Sequence, residues 1–333
     1  MAGRTDELPI YERRDDPNDG GADEQRTAAA AAAFARSRVL RAIGRVAAFG
    51  PRLPRRLVGP VLKLLRAERP PVSVRWAMPH ARASAGGVRC VWLNRDRRDR
   101  GVLVYLHGGA YIVGPAASEW HWLATIARRT GVAAIVVLYR MPPRDPFPAA
   151  FDDAAAAVAA LLERGELRPD RWILAGGSAG GGLALSALRL LLDRGASPPA
   201  GLLAVAPWVD LELAGPGVPD ADALDPILGR GWLRWAAGLY AGAVPLEDPR
   251  LSPLGASFAG FPPTRVDVGT RDLFLPDNRR LRDRLVADGV RVDYREQPGG
   301  VHTYPQFVFR PEARAALDVQ ARWVRERLGE RAF

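Results

Sequence analysis

Residues 176 to 181 read Gly-Gly-Ser-Ala-Gly-Gly, between the apolar run Trp172-Ile173-Leu174-Ala175 and the helix-forming stretch Leu183 to Leu188. A strand, a sharp turn and a helix with a serine at the apex match the pattern G-x-S-x-G of a nucleophile elbow. Such a turn holds the serine backbone in a strained conformation, and only small neighbours let strand and helix approach so closely. The hydroxyl of Ser178 is therefore expected at the carboxyl edge of a sheet, with the first turn of a helix behind it. The hexamer points to a serine hydrolase but is weak alone in a chain with 34 glycines.

The pattern on either side of the hexamer supports an α/β fold. Val72 to Trp76, Val88 to Leu93, Val102 to Leu106, Ala133 to Leu138, Arg171 to Ala175, Gly201 to Ala206, Arg265 to Val268 and Val290 to Glu296 read as strands. Helical stretches separate many of them: Glu119 to Thr130, Pro148 to Arg164, Asn278 to Asp288 and, last, Pro311 to Leu328. Gly101 to Leu106 is continuously apolar apart from one tyrosine, as expected of a strand buried on both faces. The alternation predicts a mostly parallel sheet with helices on both faces. Between Trp208 and Pro262 it breaks, and Trp232, Leu233, Trp235, Leu239 and Tyr240 suggest a helix inserted above the sheet, within a cap insertion at about residues 209–245. Residues 1–24 are polar and read as a disordered tail. Residues 25–70 read as N-terminal cap helices, with apolar spacings of 3 and 4 from Phe34 to Ala47, and residues 71–333 as the catalytic domain.

The net charge of +10 raises the question of nucleic acid or a membrane surface. The arginines are dispersed among acids, as in Arg95-Asp96-Arg97-Arg98-Asp99-Arg100, which reads as a solvated turn and not as a phosphate-binding patch. No nucleic-acid partner is expected. No apolar stretch approaches ~18 residues, so neither a transmembrane helix nor stable membrane insertion is expected. Residues 1–20 lack the apolar core of a secretory signal, so a cytoplasmic location is expected. Cys90 is the only cysteine, which excludes a disulfide within the chain and a metal site built on thiolates; no cofactor or metal is expected.

In an open parallel sheet the active site collects at the carboxyl ends of strands. A serine hydroxyl needs a base to take its proton, and the base needs an orienting carboxylate. Of His80, His107, His121 and His302, the last lies in the loop Gly299-Gly300-Val301-His302 just past a strand and is the preferred base. Asp272, just after the strand ending at Val268, is the preferred acid, with Asp210 as runner-up and Asp277 as a further neighbour. Asp152 and Asp153 read as surface or capping groups on a helix. An anionic tetrahedral intermediate needs N–H donors, and His107-Gly108-Gly109-Ala110-Tyr111 follows a buried strand 71 residues before Ser178. Backbone amides of Gly109 and Ala110, with that of Ala179 at the start of the elbow helix, are the candidate oxyanion hole.

These residues, in the order Ser178, Asp272, His302, resemble the hormone-sensitive lipase family of α/β hydrolases. The resemblance covers roughly residues 70 to 328 and includes the His107-Gly108 motif, Tyr139-Arg140, Pro146 to Ala150, Asp152-Asp153, Gly176 to Gly181, the Asp272 loop, and His302 followed by Pro311-Glu312-Ala313. It implies an α/β-hydrolase fold, with a mostly parallel eight-stranded sheet and a helical cap built partly from N-terminal residues. It also implies a serine esterase with Ser178, Asp272 and His302 as its triad. Relatives also dimerise through the last strand edge, here near Val290 to Glu296, so a homodimer is left open.

Three positions depart from the family pattern. Ala110 stands where a third glycine is usual, Gly177 where an aspartate often precedes the serine, and Thr303 where a glycine often follows the histidine. They resemble a subgroup of bacterial lactone and acetyl-ester hydrolases. The expected reaction is hydrolysis of short- to medium-chain acyl esters or lactones through an acyl-enzyme, with Trp120, Trp122, Trp208, Trp232 and Trp235 as candidate lining of an apolar pocket and core packing an equal alternative for any one of them. The same residues leave open an acyltransferase, an amidase or a cyclising enzyme, and a non-catalytic ligand-binding protein on this scaffold.

Overall fold

The computed structural model describes Leu62 and residues 66–329. The expected tail at 1–24 and most of the helices expected at 25–70 therefore lie outside the described residues. The chain continues through α1 (Val72–Ala77), β1 (His80–Ala85), β2 (Val88–Leu93), β3 (Val102–Leu106), α2 (Ala117–Thr130), β4 (Ala133–Val137), α3 (Ala149–Glu163), β5 (Trp172–Gly177) and α4 (Ala179–Asp193). Then come β6 (Gly201–Val205), α5 (Val218–Leu224), α6 (Arg230–Ala241), β7 (Thr264–Gly269), α7 (Leu275–Ala287), β8 (Val292–Gln297) and α8 (Pro311–Arg327). The eight strands form one sheet in the order β1-β2-β4-β3-β5-β6-β7-β8. Only the pairings β1–β2 and β2–β4 are antiparallel.

Strand β3 shows why the sheet is central. Its five residues are each at most 1% exposed. Val102, Val104 and Leu106 pack into the layer that holds Val158 of α3 and Leu183 of α4. Leu103 and Tyr105 enter the opposite layer, with Leu123 of α2 and Leu317 of α8. Successive side chains of a strand point to opposite faces, so a strand covered on both sides must be apolar throughout. Each fully buried Val or Leu contributes about 1.5–3 kcal/mol, enough to make this strand a poor candidate for any exposed position.

Two expectations at the start of the domain need correction. Val72 to Trp76, read as a strand from its alternation, is the short helix α1. Pro71 stands just before it as the N-cap, and the amides of Val74 and Arg75 both donate to the Pro71 carbonyl. Only Val74 faces the core, while Trp76 is 88% exposed. The strand at the sheet edge is instead β1, which was not anticipated: His80 to Ser84 are exposed or half-buried, so the segment carries no apolar signal. It pairs with β2 through the two-residue turn Gly86-Gly87, both at positive φ, the geometry that tight hairpins require.

The segment 209–245 holds two helices rather than one, α5 and α6. Leu233, Ala236, Ala237 and Tyr240 form the buried stripe of α6, at spacings of 3, 1 and 3 residues. No helix among the described residues is long and apolar enough to cross a membrane. Trp120, Trp122 and Trp208 are each at most 1% exposed. The first two belong to the layer beneath the sheet that contains Leu103 and Leu317, so core packing explains them. Trp232 and Trp235 are partly buried against the other layer.

Helix α4 crosses β3 at very short range. A β-carbon on Gly180 would lie well inside van der Waals contact of the carbonyl oxygens of Leu106 and His107, and one on Gly176 would strike the carbonyl of Gly180. Backbone cannot move aside as a side-chain tip can. Gly180→Ala is therefore expected to destabilise the protein by about 1–3 kcal/mol or more, read as a lower urea midpoint with unchanged slope.

Candidate active site

Strand β5 ends at Gly177, and Ser178 occupies the junction with α4 at φ 55° and ψ −125°. A non-glycine residue there costs about 1–3 kcal/mol and persists only where the surroundings over-determine it. They do so here. The Ser178 amide donates to the Val205 carbonyl at 2.9 Å, and the Ser178 carbonyl accepts from Gly181 at 3.0 Å and from Trp208 at 2.9 Å. The hydroxyl is thereby held out over the ends of β5 and β6.

His302 reaches it from the loop after β8. Its Nε2 lies 2.9 Å from Ser178 Oγ, and its Nδ1 lies 2.9 Å from Asp272 Oδ2. Asp272 is 1% exposed and its other oxygen accepts the Phe274 amide at 2.9 Å, which fixes the carboxylate plane. The loops carrying the two residues are tied together: Arg271 N donates to Gly300 O at 2.9 Å, and Gly299 N to Thr270 Oγ1 at 2.8 Å. Phe274 stands edge-on to the imidazole at 5.2 Å and stacks on Trp208 at 5.6 Å. Serine, histidine and aspartate from three strand ends are thus brought together in one line of hydrogen bonds.

The loop after β3 lies alongside. A β-carbon on Gly108 would sit 3.3 Å from that of Ser178. Gly109, Ala110 and Tyr111 have φ of 108°, 52° and 62°. The amides of Gly109, Ala110 and Ala179 donate to no described residue. Ala110 does stand in the left-handed region, at a cost of roughly 1–2 kcal/mol that glycine would not incur. The methyl departure noted in the sequence is therefore a real strain. His107 is fully buried, stacks on Tyr139 at 4.1 Å, and pairs Nδ1 with the Gly108 carbonyl at 2.8 Å. Burial pushes its pKa down to about 4, so it is neutral at pH 7 and serves the loop's shape. The amide of Gly108 is not free for an oxyanion, because it donates to Glu119.

The other sequence candidates lie elsewhere. Asp210 accepts the Glu212 amide at 3.0 Å and faces Arg280 at 3.4 Å. Asp277 is buried and pairs with Arg280 at 2.9 Å. Asp153 receives the Arg140 guanidinium at 2.7 Å. His121 meets Ser73 at 2.9 Å on the outside of α2, and His80 lies on the exposed edge strand. Cys90 is buried, and desolvation pushes its thiol up to about 12, so it is inert. No cluster of His, Cys, Asp or Glu among the described residues is arranged to hold a metal ion.

Sequence reasoning missed Asp225. Its Oδ1 accepts the amides of Ile227 at 2.7 Å and Leu228 at 2.9 Å, and its Oδ2 accepts that of Leu273 at 2.7 Å, next to Asp272. The local bonds are an Asx turn, a signal available in Asp225-Pro226-Ile227, but the tertiary bond to Leu273 leaves no trace in sequence. Burial, and then the charge of Asp272, push Asp225 up to about 6. His302 feels opposing effects. Burial disfavours its cation, but the Asp272 charge and hydrogen bond, with smaller help from Asp225 and Glu119, leave its pKa above the ordinary 6.5. A carboxylate near an imidazole favours the imidazolium, so removing one lowers the histidine pKa. The His302 ring should titrate by NMR above 6.5, and Asp225→Asn should move that titration to lower pH.

Residues 103–306 match the family model described as an alpha/beta hydrolase fold. The chain is 35% identical over 248 residues to an acetyl-hydrolase of Streptomyces hygroscopicus, covering 74% of this chain and 83% of that one. It is 32% identical over 231 residues to the carboxylesterase NlhH of Mycobacterium tuberculosis, covering 66% and 71%. Among solved structures, a double mutant of the esterase E40 superposes with a TM-score of 0.75 at 31% identity, covering 86% of this chain and 97% of that one. A hormone-sensitive lipase from a metagenome library gives 0.76 at 28%, covering 87% and 97%. With its eight-stranded sheet and these relatives, the chain belongs to the hormone-sensitive lipase family of α/β hydrolases and is an enzyme of the carboxylesterase type.

Proposed function

We propose that this protein hydrolyses short- to medium-chain acyl esters or lactones through an acyl-enzyme on Ser178. The observation that carries the reading is the placement of His302 between the two groups it must serve, 2.9 Å from Ser178 Oγ and 2.9 Å from Asp272 Oδ2. Asp272 accepts a hydrogen bond from Nδ1–H of His302 and so keeps Nε2 as the acceptor of the serine proton. As Ser178 Oγ attacks the ester carbonyl, that proton passes to Nε2, and the carbonyl oxygen becomes an oxyanion facing the amides of Gly109, Ala110 and Ala179. His302 then gives its proton to the departing alkoxide. A water, deprotonated by the same nitrogen, attacks the acyl-serine, and the proton returns to Ser178 Oγ as the carboxylic acid leaves.

The raised pKa of His302 suits this sequence, since the imidazolium is the species formed at each transition state. The preference for small acyl groups is supported by the name of the acetyl-hydrolase among the relatives. In this reading α5 and α6 form the cap over the site.

Ser178→Ala should lower kcat for p-nitrophenyl acetate by about 10⁵- to 10⁶-fold, with the fold intact by circular dichroism; retention of turnover would remove Ser178 from the reaction. Ala110→Gly should keep kcat within about threefold and raise the melting temperature, because glycine accepts φ of 52° without the roughly 1–2 kcal/mol cost.

A further inference from the structure

Gly177 precedes Ser178, and the space where a side chain would stand is filled from another part of the fold. A β-carbon on Gly177 would strike Gln306 Nε2 and would lie 3.1 Å from the Tyr105 hydroxyl. Gln306 is 4% exposed and ends the short 3₁₀ turn Tyr304–Gln306, four residues beyond His302. Its Nε2 donates to the Tyr105 hydroxyl at 3.1 Å. Tyr105 donates in turn to Glu119 Oε1 at 2.7 Å. The same carboxyl group accepts the Gly108 amide at 2.6 Å and, through Oε2, the Ala116 amide at 2.7 Å.

All of these bonds run one way. Gln306 donates to Tyr105, Tyr105 donates to Glu119, and two backbone amides converge on the same carboxylate. Hydrogen bonds aligned in a buried chain strengthen one another, and an unmet member of such a chain is costly. The network passes behind Ser178 and joins the turn that follows His302 to the loop that carries Gly109 and Ala110. No other described contact binds the Gly108 amide, and Gly108 is the residue whose orientation sets the two amides after it.

We infer that Gln306, Tyr105 and Glu119 form a positioning relay that fixes the oxyanion loop relative to the His302 turn, and that Gly177 is required because Gln306 occupies the space beside it. The inference rests on the function proposed above for that loop. None of the three side chains touches the reacting atoms. Glu119 withdraws the Gly108 amide from the site and leaves those of Gly109 and Ala110 directed at the developing charge. A relay of this kind acts on the transition state more than on substrate binding, so its loss should fall on kcat.

The test compares wild type, Ser178→Ala, Tyr105→Phe, Gly177→Ala, Gln306→Ala and the Gly177→Ala/Gln306→Ala double variant. Tyr105→Phe removes a single oxygen and should lower kcat for p-nitrophenyl acetate by about tenfold or more, with KM changed by less than about threefold. Inhibition by phenylboronic acid, whose serine adduct is tetrahedral, should weaken in parallel. Gly177→Ala should cost activity in the wild-type background and cost no more once Gln306→Ala has emptied the space, so the cycle is strongly non-additive. Amide hydrogen exchange at Gly108 to Tyr111 should quicken in Tyr105→Phe and Gln306→Ala, a readout independent of turnover. Unchanged kcat and unchanged exchange in Tyr105→Phe, or an additive Gly177/Gln306 cycle, would overturn the relay. If wild type fails to cleave any ester while exchange responds as expected, the relay stands and the assigned reaction falls; if wild type is active, Ser178→Ala is dead and Tyr105→Phe is unaltered, only the relay falls.

Discussion

The site depends on one close approach: helix α4 passes over the end of β3 at a distance that only glycine permits. At Gly180 a single added carbon would meet the carbonyls of Leu106 and His107, which are the last residue of β3 and the first of the loop that follows it. That approach goes with Ser178 lying beside Gly108. The strain at Ser178 and the strain at Ala110 are both held by it. Backbone hydrogen bonds to Val205 and from Trp208 lock the serine, and the stacking of Tyr111 on Tyr240 closes the loop from above.

Around that crossing the electrostatics are arranged on one group. His302 is buried, which by itself disfavours its cation, yet three carboxylates reverse the balance. Asp272 acts through a direct bond, while Asp225 and Glu119 act through space. Asp225 also accepts the Leu273 amide next to Asp272, and Glu119 accepts the Gly108 amide in the loop after β3. The same two side chains thus combine a mechanical with an electrostatic effect, which is economical where a buried charge must be kept hydrogen-bonded on every oxygen.

Much of the molecule was legible before any coordinates. The continuous apolar run at β3 identified a central strand because burial on both faces leaves no room for alternation, and Ser178, Asp272 and His302 each fell just past a strand, in the case of His302 the half-buried edge strand β8. The failures have equally physical causes. Val72 to Trp76 alternates like a strand but is a capped helical turn, because the Pro71 carbonyl accepts its amides and only Val74 finds the core. His80 to Ser84 is a strand without an apolar pattern, since an edge strand can be specified by its hairpin turn and its partner alone. Trp120 and Trp122 looked like pocket lining and are core, because a tryptophan's position relative to the sheet is invisible in one dimension.

The sequence by itself placed Ser178, Asp272 and His302, in that order, just past strand ends, because most of the strands are written in hydrophobicity. Tertiary structure decided which neighbours make those residues work. Tyr105, Glu119, Asp225, Gly177 and Gln306 are ordinary residues in the chain, separated by up to 201 positions between Tyr105 and Gln306. Their roles arise from hydrogen bonds and steric exclusion acting over a few ångströms, and such forces depend on folded distance and carry no period along the sequence.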